Sequence, residues 1–100
     1  MKDSKDLQKI LNDLSTLMVK KHHDYGPYNI AHAPGGAMNG LIVRMHDKMT
    51  RLENLHYKGD TPNYESIEDT LIDLANYAII GLLVQRGQWE GLDAGVSNRV

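Results

Sequence analysis

Apolar residues recur every three or four positions along three stretches of the chain, which is the spacing of one face of an α-helix. The first stretch covers about residues 3–23, and the second covers about residues 38–57. The third covers about residues 64–86, and its second half, residues 75–84, is apolar on nearly every side. This pattern predicts an all-α fold, a small helical bundle with three main helices in each chain.

The third predicted helix has more apolar surface than two neighbouring helices can cover. A helix that is apolar on every side must be buried on every side. We therefore expect the bundle to be completed by oligomerisation, with residues 75–84 in contact with further copies of the chain.

The segments between the helices are rich in glycine, proline and asparagine, which predicts loops and turns. Residues 24–37 (DYGPYNIAHAPGGA) form a predicted loop of about 14 residues, and ordered loops of this length are often functional. Residues 58–63 (KGDTPN) form a predicted turn.

The ends of the helices carry the residue types that commonly terminate helices. Asp3 or Ser4 is expected to cap the first helix, and Gly87 is expected to end the third. Residues 1–87 then form one domain, and residues 88–100 form a mostly polar C-terminal tail that Trp89 anchors by packing.

Composition excludes several classes of protein. Lys and Arg number 11 against 13 Asp and Glu, so the chain lacks the basic face that duplex nucleic acid requires. The absence of cysteine excludes disulfides, zinc–thiolate sites and a thiol nucleophile. No apolar run approaches the roughly 20 residues of a membrane span, and the N-terminus lacks a signal peptide core. We expect a cytoplasmic protein, in the host cytoplasm if a phage encodes it.

Acidic residues line one face of the third predicted helix. Glu65, Asp69, Asp73 and Asn76 fall within about a quarter-turn of one another, and the same face continues as apolar residues. Crowded carboxylates repel each other, and a divalent cation such as Mg²⁺ removes that repulsion. The alternative is structural: Ser66 and Asp69 fit a capping box, and first-turn acids favour the helix dipole.

Basic residues line a face of the second predicted helix. Arg44, Asp47, Lys48 and Arg51 are spaced as one stripe, with Lys48 at the edge of the apolar face. Three cations around one carboxylate suit a phosphate chain. The alternative is a network of structural ion pairs within or between helices.

The end of the first predicted helix supplies aromatic and basic groups. Lys21 and Tyr25 continue its apolar stripe towards the interior. Tyr25, Tyr28 and Asn29 suit stacking on and hydrogen bonding to a base, although a single Tyr is more often a core residue. The adjacent His22 and His23 have no partner at metal-binding spacing, so they are expected to be solvated.

Taken together, these residues resemble the MazG-like, all-α NTP pyrophosphohydrolases, and within them a small phage and bacterial branch associated with nucleotide modification. The resemblance covers about residues 20–83, on Lys21-x-x-Asp24-Tyr25-Gly26, then Asn29, then Arg44-x-x-Asp47-Lys48-x-x-Arg51-Leu52, then Glu68-Asp69-x-x-x-Asp73-Leu74-x-Asn76-Tyr77. It implies a homo-dimer or homo-tetramer that uses Mg²⁺ to hydrolyse a (d)NTP to the monophosphate and pyrophosphate, with residues 1–87 as the nucleotide-binding domain.

The expected site follows from this resemblance and from the two polar stripes. Asp47, Asp69 and Asp73 are the predicted catalytic and Mg²⁺-binding residues. The predicted substrate-binding residues are Lys21, Tyr25, Asn29, Arg44, Lys48, Arg51, Asn76 and Tyr77. The chain departs from the family's better-known E-x-x-E and E-x-x-D motifs, because Thr50 and Thr70 stand where two further acids fall.

Three functions remain open on these residues. The first is the Mg²⁺-dependent pyrophosphohydrolase. The second is a binding protein that sequesters a nucleotide or a nucleotide-derived signal without hydrolysing it, as a phage sponge does. The third is a structural oligomer whose charged residues form buried ion pairs.

Overall fold

The structure, a computed structural model, describes residues 2–58 and 64–92, with the backbone alone at residues 64 and 65. Within these ranges the chain forms four helices and no strand. The helices are α1 (Lys5–Tyr25), α2 (Tyr28–Ala31), α3 (Ala37–Tyr57) and α4 (Tyr64–Gln85). The predicted all-α fold is confirmed, and the three long helices agree with the predicted ones to within two residues at each end.

Helices α3 and α4 form an antiparallel pair at the centre of the molecule. Lys48 faces Asp73 near the middle of the pair, and Leu41 packs beside Gly81 further along. Leu41 and Val84 are completely buried between them. Burying one such side chain contributes about 1.5–3 kcal/mol, so the contact between α3 and α4 contributes strongly to the stability of the fold. Helix α1 packs mainly on α4, and α2 packs on α3.

The predicted loop over residues 24–37 is corrected by the structure, because it contains a helix. Helix α1 continues to Tyr25 and ends at Gly26, which has φ 72°. Pro27 then precedes the single-turn α2, and its carbonyl accepts hydrogen bonds from the N–H groups of Ile30 and Ala31. Proline suits the first turn of a helix, and burial of Ile30 in the core holds this turn in place. The stabilisation from burying Ile30 is larger than the tendency of the surrounding glycine and proline residues to form an irregular loop.

The residues predicted to begin the first long helix and to end the last one are found at those positions in the structure. The Asp3 carboxylate accepts the backbone N–H of Lys5 at 2.9 Å at the start of α1. Gly87 has φ 67° after α4, and the N–H groups of Gly87 and Gln88 bond to the carbonyls of Val84 and Leu83. This is the Schellman arrangement, in which glycine takes the left-handed position.

The capping-box interpretation of Ser66 and Asp69 is wrong. Ser66 lies inside α4, not at its cap, and its carbonyl accepts a hydrogen bond from the Thr70 hydroxyl at 2.7 Å. The predicted turn at residues 58–63 lies outside the described residues except for Lys58.

The chain segment after α4 returns to the core. Trp89 is buried there, and its Nε1 donates to the Pro27 carbonyl at 3.0 Å. Trp89 is therefore the predicted packing anchor. Residues 93–100 lie outside the described part of the chain, so the predicted division at residue 87 stays a prediction.

The long helices keep apolar side chains at the surface of the single chain. The exposed residues are Leu7, Ile10, Leu11 and Val19 on α1, Ile42, Val43 and Met49 on α3, and Leu71 and Leu82 on α4. Among the described residues, none of the helices combines the length and the apolar character of a membrane span. Oligomerisation stays a prediction.

Candidate functional site

A pocket of about 350 Å³ opens between α1, α3 and α4 and is closed at one end by α2 and Trp89. Eight of the residues predicted to bind substrate or metal line it: Lys21, Tyr25, Asn29, Arg44, Lys48, Asp73, Asn76 and Tyr77. Helical spacing explains why several residues of α4 line the pocket. Asp73, Asn76, Tyr77 and Ile80 are separated by three or four residues and so share one face of the helix.

The Asp73 carboxylate is held by two lysines from two different helices. Lys48 Nζ of α3 lies 2.9 Å from Oδ2, and Lys21 Nζ of α1 lies 3.1 Å from Oδ1. This arrangement ties α1, α3 and α4 together at one point. Burial raises the pKa of Asp73, but the hydrogen bonds and charges of Lys48 and Lys21 outweigh burial and hold the pKa below its ordinary value.

The pocket is electropositive. Lys21, Arg44 and Lys48 line it, and Asp73 is the one carboxylate among the described lining residues. Arg44 donates from Nη2 to the backbone carbonyl of Asn29 at 3.1 Å, which holds the guanidinium against α2. A guanidinium has five N–H donors, so Arg44 keeps donors for a ligand. The pocket therefore suits an anion.

Asn76 is the buried polar group of the pocket wall. Its side chain is 6% exposed, and neither Nδ2 nor Oδ1 has a hydrogen-bond partner within the described chain. Leaving a buried donor or acceptor unpaired costs about 1–3 kcal/mol. The wall of the pocket thus contains a buried amide whose donor and acceptor are both unpaired within the described residues.

Three predicted site residues lie apart from the pocket. Asp47, Arg51 and Asp69 are exposed at the helix surfaces and do not line it. Asp47 is adjacent to Lys48, and neighbouring residues on a helix point about 100° apart. Asp69 lies one turn before Asp73 on α4, where it is exposed and beyond the pocket lining. Asp73 is therefore the one predicted acidic residue in the described part of the chain that lines the pocket.

The three acidic residues predicted to bind Mg²⁺ do not form one cluster in the described part of the chain. Among the described residues, no group of three or more His, Asp or Glu side chains is placed to hold a metal ion. Both oxygens of Asp73 already bond to ammonium groups. Thr70, at the position where an acid was expected from the resemblance, is 2% exposed and donates its hydroxyl to the Ser66 carbonyl. The prediction of an Mg²⁺ site on Asp47, Asp69 and Asp73 stays untested.

His23 is exposed, as expected, but His22 is only partly exposed, which corrects the expectation that both are solvated. His22 lines the pocket, packs edge-on against Trp89 with ring centroids 5.0 Å apart, and places Nε2 3.4 Å from Oε2 of Glu90. Its spacing of four residues from Met18, a member of the apolar stripe of α1, was a signal for an inward position. Trp89 lies 67 positions further along the chain, so sequence spacing carries no signal for this contact.

The two tyrosines proposed for a base have different surroundings. Tyr25 lines the mouth of the pocket with its side chain 73% exposed. Tyr28 packs instead on His32, with ring centroids 4.8 Å apart, and does not line the pocket. Tyr25 is therefore the tyrosine placed to meet a ligand, and it is not the core aromatic of the alternative interpretation.

Most of the chain matches the model of a known protein family. The model described as nucleotide modification associated domain 1 matches residues 21–84, which include all eight predicted residues that line the pocket. No curated protein and no solved structure matches the chain.

Proposed function

Because the chain belongs to the family of nucleotide modification associated domain 1, we propose that it binds a nucleotide in the pocket between α1, α3 and α4. The observation that carries this proposal is the pair of lysines on Asp73 in an otherwise cationic pocket. Phosphate groups are the part of a nucleotide that such a pocket favours.

The two lysines hold phosphate without releasing Asp73. An ammonium group has three N–H donors, and Lys48 and Lys21 each use one on the Asp73 carboxylate. The remaining donors of both side chains converge with Arg44 on the same pocket. Asp73 thereby fixes the positions of two flexible side chains before a ligand arrives, which lowers the entropy cost of binding.

The nucleoside part of the ligand has suitable neighbours in the same pocket. The exposed ring of Tyr25 provides a stacking surface, and stacking of a base on an aromatic side chain contributes about 1–3 kcal/mol. Asn29 and Tyr77 add polar atoms beside it. The pocket therefore combines groups for phosphate with groups for a sugar and a base.

Mg²⁺-dependent hydrolysis of a (d)NTP to the monophosphate and pyrophosphate is the second candidate function. It is favoured by the resemblance to MazG-like pyrophosphohydrolases and by Asp73, a carboxylate in the pocket next to the proposed phosphate site. The arrangement of the described residues supports the binding step better, because Asp47 and Asp69 are exposed and do not line the pocket. We therefore favour a protein that binds and sequesters its nucleotide.

Calorimetry with the four dNTPs in EDTA and in Mg²⁺, followed by ion-exchange chromatography of each mixture, tests these functions. We expect affinity in EDTA to be nearly undiminished and the nucleotide to be recovered intact, because the cations meet the phosphates directly. Binding that requires Mg²⁺, together with release of pyrophosphate, would establish the hydrolase instead. Absence of binding in both conditions would exclude both functions.

We also propose that the chain self-associates through α4. Leu71 and Leu82 are each 50% exposed there, and Ala75 and Ala78 lie between them. The spacing of these four residues alternates four, three and four, which is the seam of packed helices. Two small alanines at its centre permit close approach of the same face of a second copy, as a symmetric dimer requires.

A further inference from the structure

Asn76 is a polar residue at a buried position in the pocket wall, where an apolar residue would serve packing equally well. It lies one helical turn beyond Asp73 on the same face of α4, and its side chain is 6% exposed. Both its amide nitrogen and its amide oxygen lack a hydrogen-bond partner within the described residues. Thr70, the other buried polar side chain of α4, satisfies its hydroxyl on the Ser66 carbonyl.

An unpaired amide in such a place indicates a ligand. Buried polar groups in proteins are nearly always hydrogen-bonded, and an exception calls for an explanation such as a functional role. An apolar residue of similar size would fill the same space without leaving a donor and an acceptor unpaired. Asn76 lines the pocket that holds the lysine pair, so the missing partner is expected from the ligand of that pocket.

The position along α4 identifies the part of the ligand involved. Three residues advance about 4.5 Å along a helix axis, so Asn76 lies that far past the proposed phosphate site at Asp73. Ile80 continues the same face towards Trp89, and both line the pocket. A nucleotide whose phosphates meet Lys21 and Lys48 therefore directs its nucleoside towards an amide followed by apolar surface.

We propose that Asn76 is the residue that recognises the nucleobase, by a pair of hydrogen bonds to a base edge with a donor and an acceptor side by side. A carboxamide presents this same pair, which is why asparagine forms bidentate contacts with base edges such as N6 and N7 of adenine. The inference rests on the proposed function. It adds that the ligand is a nucleotide with an intact base, and that inorganic polyphosphate binds more weakly.

The experiment compares the four dNTPs with inorganic triphosphate by calorimetry in EDTA, for the wild type, Asn76→Leu and Asn76→Asp. Asn12→Leu, on the exposed surface of α1, is the matched control. We expect the tightest dNTP to bind the wild type about tenfold or more better than inorganic triphosphate, the difference of a bidentate base contact. Both Asn76 variants should lose the part of this difference that the base contact contributes, about tenfold, while triphosphate affinity stays within about twofold for Asn76→Leu and the control keeps both affinities.

Thermal unfolding gives an independent measurement on the same proteins. If the amide is unpaired without ligand, Asn76→Leu should unfold at a temperature equal to or above that of the wild type, because the unpaired polar groups are removed. A lower unfolding temperature with equal loss of dNTP and triphosphate binding would overturn the inference in favour of a structural amide. Wild-type discrimination retained in both variants would also overturn it. Failure of the wild type to bind triphosphate and every dNTP would refute the proposed function itself.

Discussion

Lys48 Nζ of α3 lies 2.9 Å from Oδ2 of Asp73 on α4. The ion pair joins the two central helices at the wall of the pocket, at the edge of the buried surface between them. Lys21 of α1 occupies the other carboxylate oxygen at 3.1 Å. One carboxylate thus orients two cations from separate helices, and several consequences can be measured.

Replacing Lys48 with methionine is expected to abolish nucleotide binding without unfolding the bundle. Methionine has a similar length and suits the apolar neighbourhood of this position, but it lacks the charge that meets phosphate. Calorimetry with the four dNTPs measures the effect, which we expect to exceed a factor of about 100, as for the loss of a charged hydrogen bond. Lys9→Met is the control, because Lys9 pairs with Asp13 on the exposed surface of α1 at 3.3 Å. Wild-type affinity in Lys48→Met would make Lys48 a structural ion-pair partner only.

Replacing Asp73 with asparagine is expected to lower the free energy of unfolding by about 1–2 kcal/mol. Asp73 pairs with two lysines but is partly exposed, so the effect should lie between those of surface and buried ion pairs. Urea unfolding followed by circular dichroism measures it. Glu68→Gln, an exposed acid on the same helix, should change the free energy of unfolding by less than about 0.5 kcal/mol. An equal effect of both substitutions would remove the special role of the lysine pair.

The pH dependence of stability should carry the signature of Asp73. Because its pKa is lower in the folded chain than in the unfolded chain, the unfolded chain takes up a proton first as the pH falls. The contribution of Asp73 to stability is therefore complete above the unfolded pKa of about 4. It is lost as the pH falls through the lower, folded pKa.

Urea midpoints of wild type and Asp73→Asn, measured from pH 6 down to pH 2.5, test this dependence. The difference between the two proteins should be constant above about pH 5 and shrink at lower pH. A difference that grows on acidification would show that the sign of the pKa shift is wrong.

Replacing Leu82 with glutamate is expected to dissociate the oligomer, since the substitution places a charge within the proposed α4 seam, in place of an apolar side chain at its end. Light scattering should return the chain mass of 11.2 kDa for this variant and a multiple of it for the wild type. Val19→Glu on α1, where Val19 is exposed, is the control and should keep the wild-type mass. A wild type that is monomeric at micromolar concentration would refute self-association through α4.

The helices themselves follow from the sequence because they depend on local spacing. The periodicity of apolar residues defined α1, α3 and α4, and Gly87 marked the end of α4 through the left-handed backbone that glycine adopts readily. Helix α2 was missed for the opposite reason. A single turn is marginal on its own, and burial of Ile30 against distant residues stabilises it.

The composition of the pocket follows from the sequence only in part. Side chains at helical spacing share a face, so Asp73, Asn76 and Tyr77 were grouped correctly, as were Lys21 and Tyr25. The rotation of each helix about its axis depends on how its neighbours pack, which local spacing does not contain. That rotation turned Lys48 towards Asp73 and left Asp47 and Asp69 at the surface.

The sequence by itself therefore determined the long helices, their apolar faces and which polar residues share a face of one helix. Only the tertiary structure decided which of these polar residues meet across helices. Lys21 and Asp73 are 52 positions apart, and His22 and Trp89 are 67 apart. Such contacts depend on the packing of whole helices, because the position and rotation of a helix set the positions of all its side chains together. The unpaired amide of Asn76 likewise became visible only once its surroundings were known, since burial and missing partners are properties of the packed chain.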